Sequence, residues 1–124
     1  MKKLGYLLSV SVFVWNLFSC RHSPTIPETP VVSYKKDIQP IVIANCATSG
    51  CHDSIDGEDP VLETYSDVMK IVTCGDAHSS ELYQVITGKG LATVMPPASS
   101  AQGPLTDTQI KEIYLWIMQG AKNN

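Results

Sequence analysis

No cluster of lysine or arginine occurs anywhere in the 124 residues, and the formal net charge is −3. Nothing in the charge pattern therefore points to a nucleic-acid partner, which needs a basic footprint. No segment sustains a two-residue alternation of apolar and polar positions, so half-buried strands are not expected. There is no internal repeat. The one long apolar run, Leu4 to Phe18, is shorter than the roughly 20 residues that a membrane-spanning helix needs. Thiols and imidazoles are few, with four cysteines and three histidines. Cys46 and Cys51 have the spacing of half a zinc site, but Cys20, Cys74, His22 and His78 do not supply a second ligand pair. What is present is a 44% hydrophobic content, ordinary for a globular chain, and length enough for one small domain.

The apolar run reads as an export signal. Lys2 and Lys3 form a positive start, Leu4 to Phe18 the apolar middle, and the run ends in Leu17-Phe18-Ser19-Cys20. That ending resembles a bacterial lipoprotein box. Cleavage after residue 19 would leave Cys20 as the first residue, carrying acyl chains that hold the protein to a membrane. An ordinary secretory signal or an uncleaved anchor is the plainer alternative. Removing residues 1–19 takes away two bases and no acid, leaving seven bases against twelve acids and a formal net charge of −5. Such a charge keeps an exported protein soluble and can also steer a basic partner. Arg21 is not the acidic residue that retains some lipoproteins in the inner membrane, which points to the outer one. Residues 20–30 contain three prolines and no apolar period, so they read as an extended tether.

Within the remaining chain, residues 31–124, one stretch carries chemistry: Cys46-Ala47-Thr48-Ser49-Gly50-Cys51-His52. Two thiols followed at once by an imidazole are what a c-type haem requires. The thiols add across vinyl groups and the imidazole binds iron. The usual spacing is C-x-x-C-H, and here it is C-x4-C-H. A structural Cys46–Cys51 disulfide is the competing reading, favoured by an exported setting. With Cys20 lipidated, Cys74 is the odd thiol under either reading. Asp53, Asp56, Glu58 and Asp59 follow in an acidic loop that lacks the register of a calcium-binding EF-hand, so a solvated loop is expected.

Four short amphipathic helices are expected. The first runs from Asp37, read as its cap, to Asn45 and delivers Cys46. Thr64 to Asp67 has the form of a capping box, followed by Tyr65, Val68, Met69 and Val72 on one face. Met69 there reads as core. Ser79 or Ser80 is expected to cap a third helix, with Leu82, Val85 and Ile86 on one side and Gly88 at its end. Thr106 and Gln109 form a second capping box, with Leu105 and Ile110 as a staple. Ile110, Ile113, Tyr114 and Ile117 then make a stripe beside Trp116, and Gly120 stops the helix. Between the last two helices, Gly88 to Pro104 has no period. Met95 stands there before Pro96 and Pro97, which would hold its thioether in a fixed place. His78 precedes the third helix as an exposed loop residue or a possible ligand.

Segments this short bury little unaided, and small folds of this kind need a staple or a cofactor. A disulfide closing a loop this small stabilises little. The pieces Asp37-Ile38-Gln39-Pro40-Ile41, Cys46…Cys51-His52, Ser79 to Gly88, Met95-Pro96-Pro97 and Leu105-Thr106…Trp116-Ile117…Gly120-Ala121 occur in order. Together they resemble a small single-haem class I c-type cytochrome domain of a bacterial envelope protein, over Lys35 to Lys122. The resemblance implies an all-α fold of about four short helices around one covalent haem c. It implies thioether bonds at Cys46 and Cys51, His52 as proximal iron ligand and Met95 as distal ligand. It also implies an electron carrier rather than an enzyme, lipid-anchored in the periplasm and exchanging electrons with redox proteins of the cell envelope. Two departures stand out, the four-residue gap and Cys74 where many relatives have proline. If Met95 dissociated, the iron could instead sense a gas or reduce peroxide. Without haem, the chain would be an envelope lipoprotein with a disulfide.

Overall fold

The computed structural model describes residues 25–89 and 93–124; the expected signal peptide, Cys20 and His22 lie outside the described residues. Every regular element among them is helical. We label the α-helices α1 (Gln39–Asn45), α2 (Tyr65–Val68), α3 (Glu81–Thr87) and α4 (Asp107–Met118). None is long and apolar enough to cross a membrane.

The chain enters α1 through a wider π-helical turn, Tyr34–Ile38. Its cap is Ser33, whose hydroxyl accepts from the Lys36 amide at 3.3 Å. Asp37 does not cap the helix as expected. Its carboxylate reaches back and accepts from the Ser33 amide at 2.7 Å, so it completes a cap one turn earlier. Pro40 supplies a reason for the wide turn. It has no N–H, and in a regular helix its ring clashes with the carbonyl four residues back.

Helices α2 and α4 begin where the sequence places them. Thr64 and Asp67, and Thr106 and Gln109, each bond reciprocally, side chain to backbone, in both directions. Helix α2 is only one turn long and tightens into a 3-10 turn at Met69–Ile71. Helix α3 starts after Ser80, but the Ser80 hydroxyl does not cap it. It donates to the Asp76 carbonyl at 2.8 Å and accepts from the Thr73 amide at 2.9 Å. The side chain is fully buried, and there it ties down the preceding turn. Gly88 ends α3 in the left-handed conformation, with φ +64°.

The core runs along one side of α4, where Ile113, Trp116 and Ile117 are buried against Tyr34, Ile38, Val42 and Val68. Tyr34 and Tyr65 meet edge to face at 5.0 Å between ring centres, and Trp116 lies 5.5 Å from Tyr34. Such geometry adds to the burial itself. Helix α4 packs on α3 and on the turn at Tyr34–Ile38. Met69 packs against this core, as its helical spacing suggested.

Candidate functional site

Helix α1 delivers Cys46 as its C-terminal cap residue, with the Cys46 amide still bonded to the Val42 carbonyl at 2.8 Å. Because α1 buries Ile41 and Val42, Cys46 is carried to the protein interior. The next five residues form a closed loop. The Cys51 amide donates to the Thr48 carbonyl at 2.9 Å, and the His52 amide donates back to the Cys46 carbonyl at 3.1 Å. Gly50, at φ +75°, makes the reversal. The Asp56 carboxylate accepts from the Gly50 amide and the Ser49 hydroxyl, each at 3.1 Å, and these bonds lower its pKa from the usual carboxylate value. The four-residue gap is thus a hydrogen-bonded turn.

The acidic stretch that follows is not wholly solvated. Asp53 is buried, and Gly57 passes so close to it that an added Cβ would stand 2.5 Å from the Asp53 amide nitrogen. This approach turns the chain so that the Glu58 carbonyl lies 3.1 Å from His52 Nδ1. A carbonyl oxygen only accepts, so Nδ1 carries the proton. In the neutral ring Nε2 is then left with a free lone pair, the state a metal-binding imidazole needs. The Leu62 amide donates to the His52 carbonyl at 2.9 Å and fixes the backbone on the other side.

Met95 comes from the irregular segment after α3, and its amide donates to the Val85 carbonyl at 2.9 Å. Cys46, His52 and Met95 line one cleft of about 190 Å³. Its remaining walls are mainly apolar, among them Leu62, Ile71, Leu82, Val85 and Ile86, with Asp59 and Glu81 as the charged members. A second cleft of about 410 Å³ shares Asp59, Pro60, Ile71 and Glu81, so the two adjoin. Three of the four residues proposed from sequence for one chemistry therefore converge, whereas Cys51 does not line the cleft. The walls had no motif to announce them, because they come from three separated segments.

Burial pushes the Cys46 thiol up to about 11, and the neighbouring Cys51 thiol adds to the rise. Both are free thiols, as is the exposed Cys74. His78 does not line the cleft; it is exposed and packs edge to face on Tyr83, with ring centres 5.5 Å apart. Among the described residues, no three His, Cys, Asp or Glu side chains converge into a metal cage. Besides the Cys46 thiol and the Asp59 and Glu81 carboxylates, the cleft holds one imidazole and one thioether. That set, with the buried Cys46 thiol in the cleft and the Cys51 thiol neighbouring it outside the lining, has the donor types that a c-type haem uses. The inner cleft is smaller than most small-molecule sites, which run from about 300 to 1,000 Å³, so a porphyrin would extend into the adjoining one.

Comparison with protein-family models, with curated proteins and with solved structures finds no match to this chain.

Proposed function

We propose that this chain is a monohaem c-type cytochrome, anchored to the bacterial cell envelope by lipid at Cys20, that carries electrons between redox proteins. The observation that supports it most is the convergence of His52, Met95 and Cys46 on one mainly apolar cleft. Cys46 and Cys51 would hold the haem through thioether bonds, each S–H adding across a vinyl double bond. His52 would bind iron through Nε2, oriented by Glu58, and Met95 through its sulfur. The bound haem would supply one-electron cycling between Fe(III) and Fe(II).

The protein's own contribution is to tune that cycle. A thioether is soft and neutral, so Met95 favours the reduced iron and raises the potential. The apolar walls act in the same direction by disfavouring the extra charge of Fe(III). With His52 and Met95 both holding the iron, no substrate would have to bind it. Partners would meet an exposed haem edge in brief contacts, for which small interfaces suffice.

Mass spectrometry of the mature protein, produced with a working haem-maturation system, tests this. The expected mass exceeds that of the lipidated polypeptide by one haem, and the reduced protein is coloured. A colourless protein of unmodified polypeptide mass would overturn the proposal and leave the disulfide-bearing lipoprotein. Carbon monoxide binding to the reduced protein would indicate that Met95 leaves the iron, the behaviour of a sensor or peroxide-reducing enzyme.

A further inference from the structure

The proline-rich stretch before the domain has the composition of a free tether, yet its described part lies on the end of α4. A single side chain holds it. Gln119 Oε1 accepts from the Val32 amide at 2.9 Å. Its Nε2 donates to the Pro27 carbonyl at 2.8 Å and the Pro30 carbonyl at 3.1 Å. One acceptor and two donors on the same amide thus meet three successive points of the strap. Prolines suit this use, since each offers a carbonyl and has no N–H of its own left to satisfy. A cavity of about 450 Å³ separates the strap from α4, lined by Ile26, Pro27 and Val31 on one side and Trp116 and Met118 on the other. It shares no residue with the cleft that holds His52 and Met95.

We propose that Gln119 is a clasp that shortens the tether and sets how far the domain stands from the bilayer. The inference rests on the lipid anchor at Cys20 proposed above. From Cys20 to Pro27 is seven residue steps, a reach of at most about 25 Å when fully extended. Without the clasp, the next fixed point is Ser33, whose hydroxyl donates to the Asn124 carbonyl at 2.8 Å. That point is thirteen steps from Cys20, a reach of about 45 Å. The clasp therefore takes six residue steps out of the free tether.

Two measurements on the full lipidated protein test it. Hydrogen exchange reads the Val32 amide, and neutron reflectometry reads the height of the protein layer on a supported bilayer of phosphatidylethanolamine and phosphatidylglycerol. Gln119→Ala should speed Val32 exchange by about tenfold or more and move the layer outward by on the order of 10 Å. Gln119→Glu keeps an acceptor for Val32 but cannot donate to Pro27 and Pro30. It should leave Val32 protected and still move the layer outward. Unchanged exchange and unchanged height in Gln119→Ala would overturn the clasp. A wild-type protein that carries no lipid and forms no layer would overturn the anchor instead, while Val32 exchange still decides whether the clasp exists.

Discussion

The amide of Met95 donates to the carbonyl of Val85 at 2.9 Å, tying an otherwise irregular segment to the helix that forms one wall of the cleft. The thioether is therefore positioned by α3 rather than by its own loop. His52 is held from the other side by Glu58 and Leu62. Two donor side chains that are 43 positions apart in sequence thus meet in one cleft through backbone hydrogen bonds, a precise kind of support that side-chain packing alone does not give.

Met95→Ala removes the sulfur and leaves that backbone bond in place. In the haem-loaded protein the midpoint potential should fall by on the order of 0.1 V, within the span of about 0.8 V over which axial ligands move haem potentials. The visible spectrum should change with it, and the reduced form should bind carbon monoxide. Potentiometry followed by spectroscopy checks both. An unchanged spectrum and potential would mean that another residue is the distal ligand.

The turn across the wide cysteine gap and the stretch that follows it each depend on a glycine, for different reasons. Gly50 needs its positive φ but has no atom within 4 Å of an added Cβ. Gly50→Ala should cost about 1–2 kcal/mol, the usual left-handed penalty. At Gly57 an added Cβ would collide with Asp53 backbone atoms at 2.5 and 2.6 Å, and rigid backbone cannot yield as a flexible side chain does. Gly57→Ala should therefore cost more than Gly50→Ala, and it should also displace Glu58 from His52. Denaturant unfolding of the two variants side by side reads the order.

Much of the helical frame was legible because its signals are local. Thr64 with Asp67, and Thr106 with Gln109, are partners three residues apart, and Gly88 needs only its own φ. The features that escaped depend on distant or crowded chain. Ser33 caps the first turn because Pro40 forces that turn wide, and Ser80 spends its hydroxyl on Thr73 and Asp76 once it is buried. Asp53 is buried by the close approach of Gly57. Gln119 bonds residues about ninety positions away, which no pattern in the sequence reveals. The site divides in the same way. Cys46, His52 and Met95 declared themselves by residue type and order, whereas Ile71 and Val85 became walls only through packing.

Cys46 offers a test of burial in the haem-free protein. Its thiol is raised from 9.0 to about 11, first by burial and then by Cys51. The folded protein therefore holds it neutral where an unfolded chain would begin to ionise. The resulting stabilisation is fully present below about pH 9 and is lost as pH rises from 9 towards 11. At pH 8 only about one Cys46 in a thousand is thiolate. Iodoacetamide should modify the exposed Cys74 at least about tenfold faster than Cys46. Peptide mapping after timed alkylation gives the two rates, and comparable rates would mean that Cys46 is not buried.

Trp116 is the side chain on which the small core depends. It is 1% exposed, stacks near Tyr34, and donates from Nε1 to the Lys122 carbonyl at 3.0 Å. Trp116→Ala leaves a cavity and an unpartnered carbonyl, a loss of about 3–5 kcal/mol. Domains of this size have only about 5–15 kcal/mol in total, so much of the population should unfold near physiological temperature. Trp116→Phe keeps most of the ring volume and gives up the hydrogen bond, so its cost should be clearly smaller. Because Trp116 does not line the cleft of His52 and Met95, the Phe variant should keep its haem and a near-normal spectrum. Thermal unfolding monitored by circular dichroism, with the spectrum recorded on the same samples, separates the loss of the core from loss of the site.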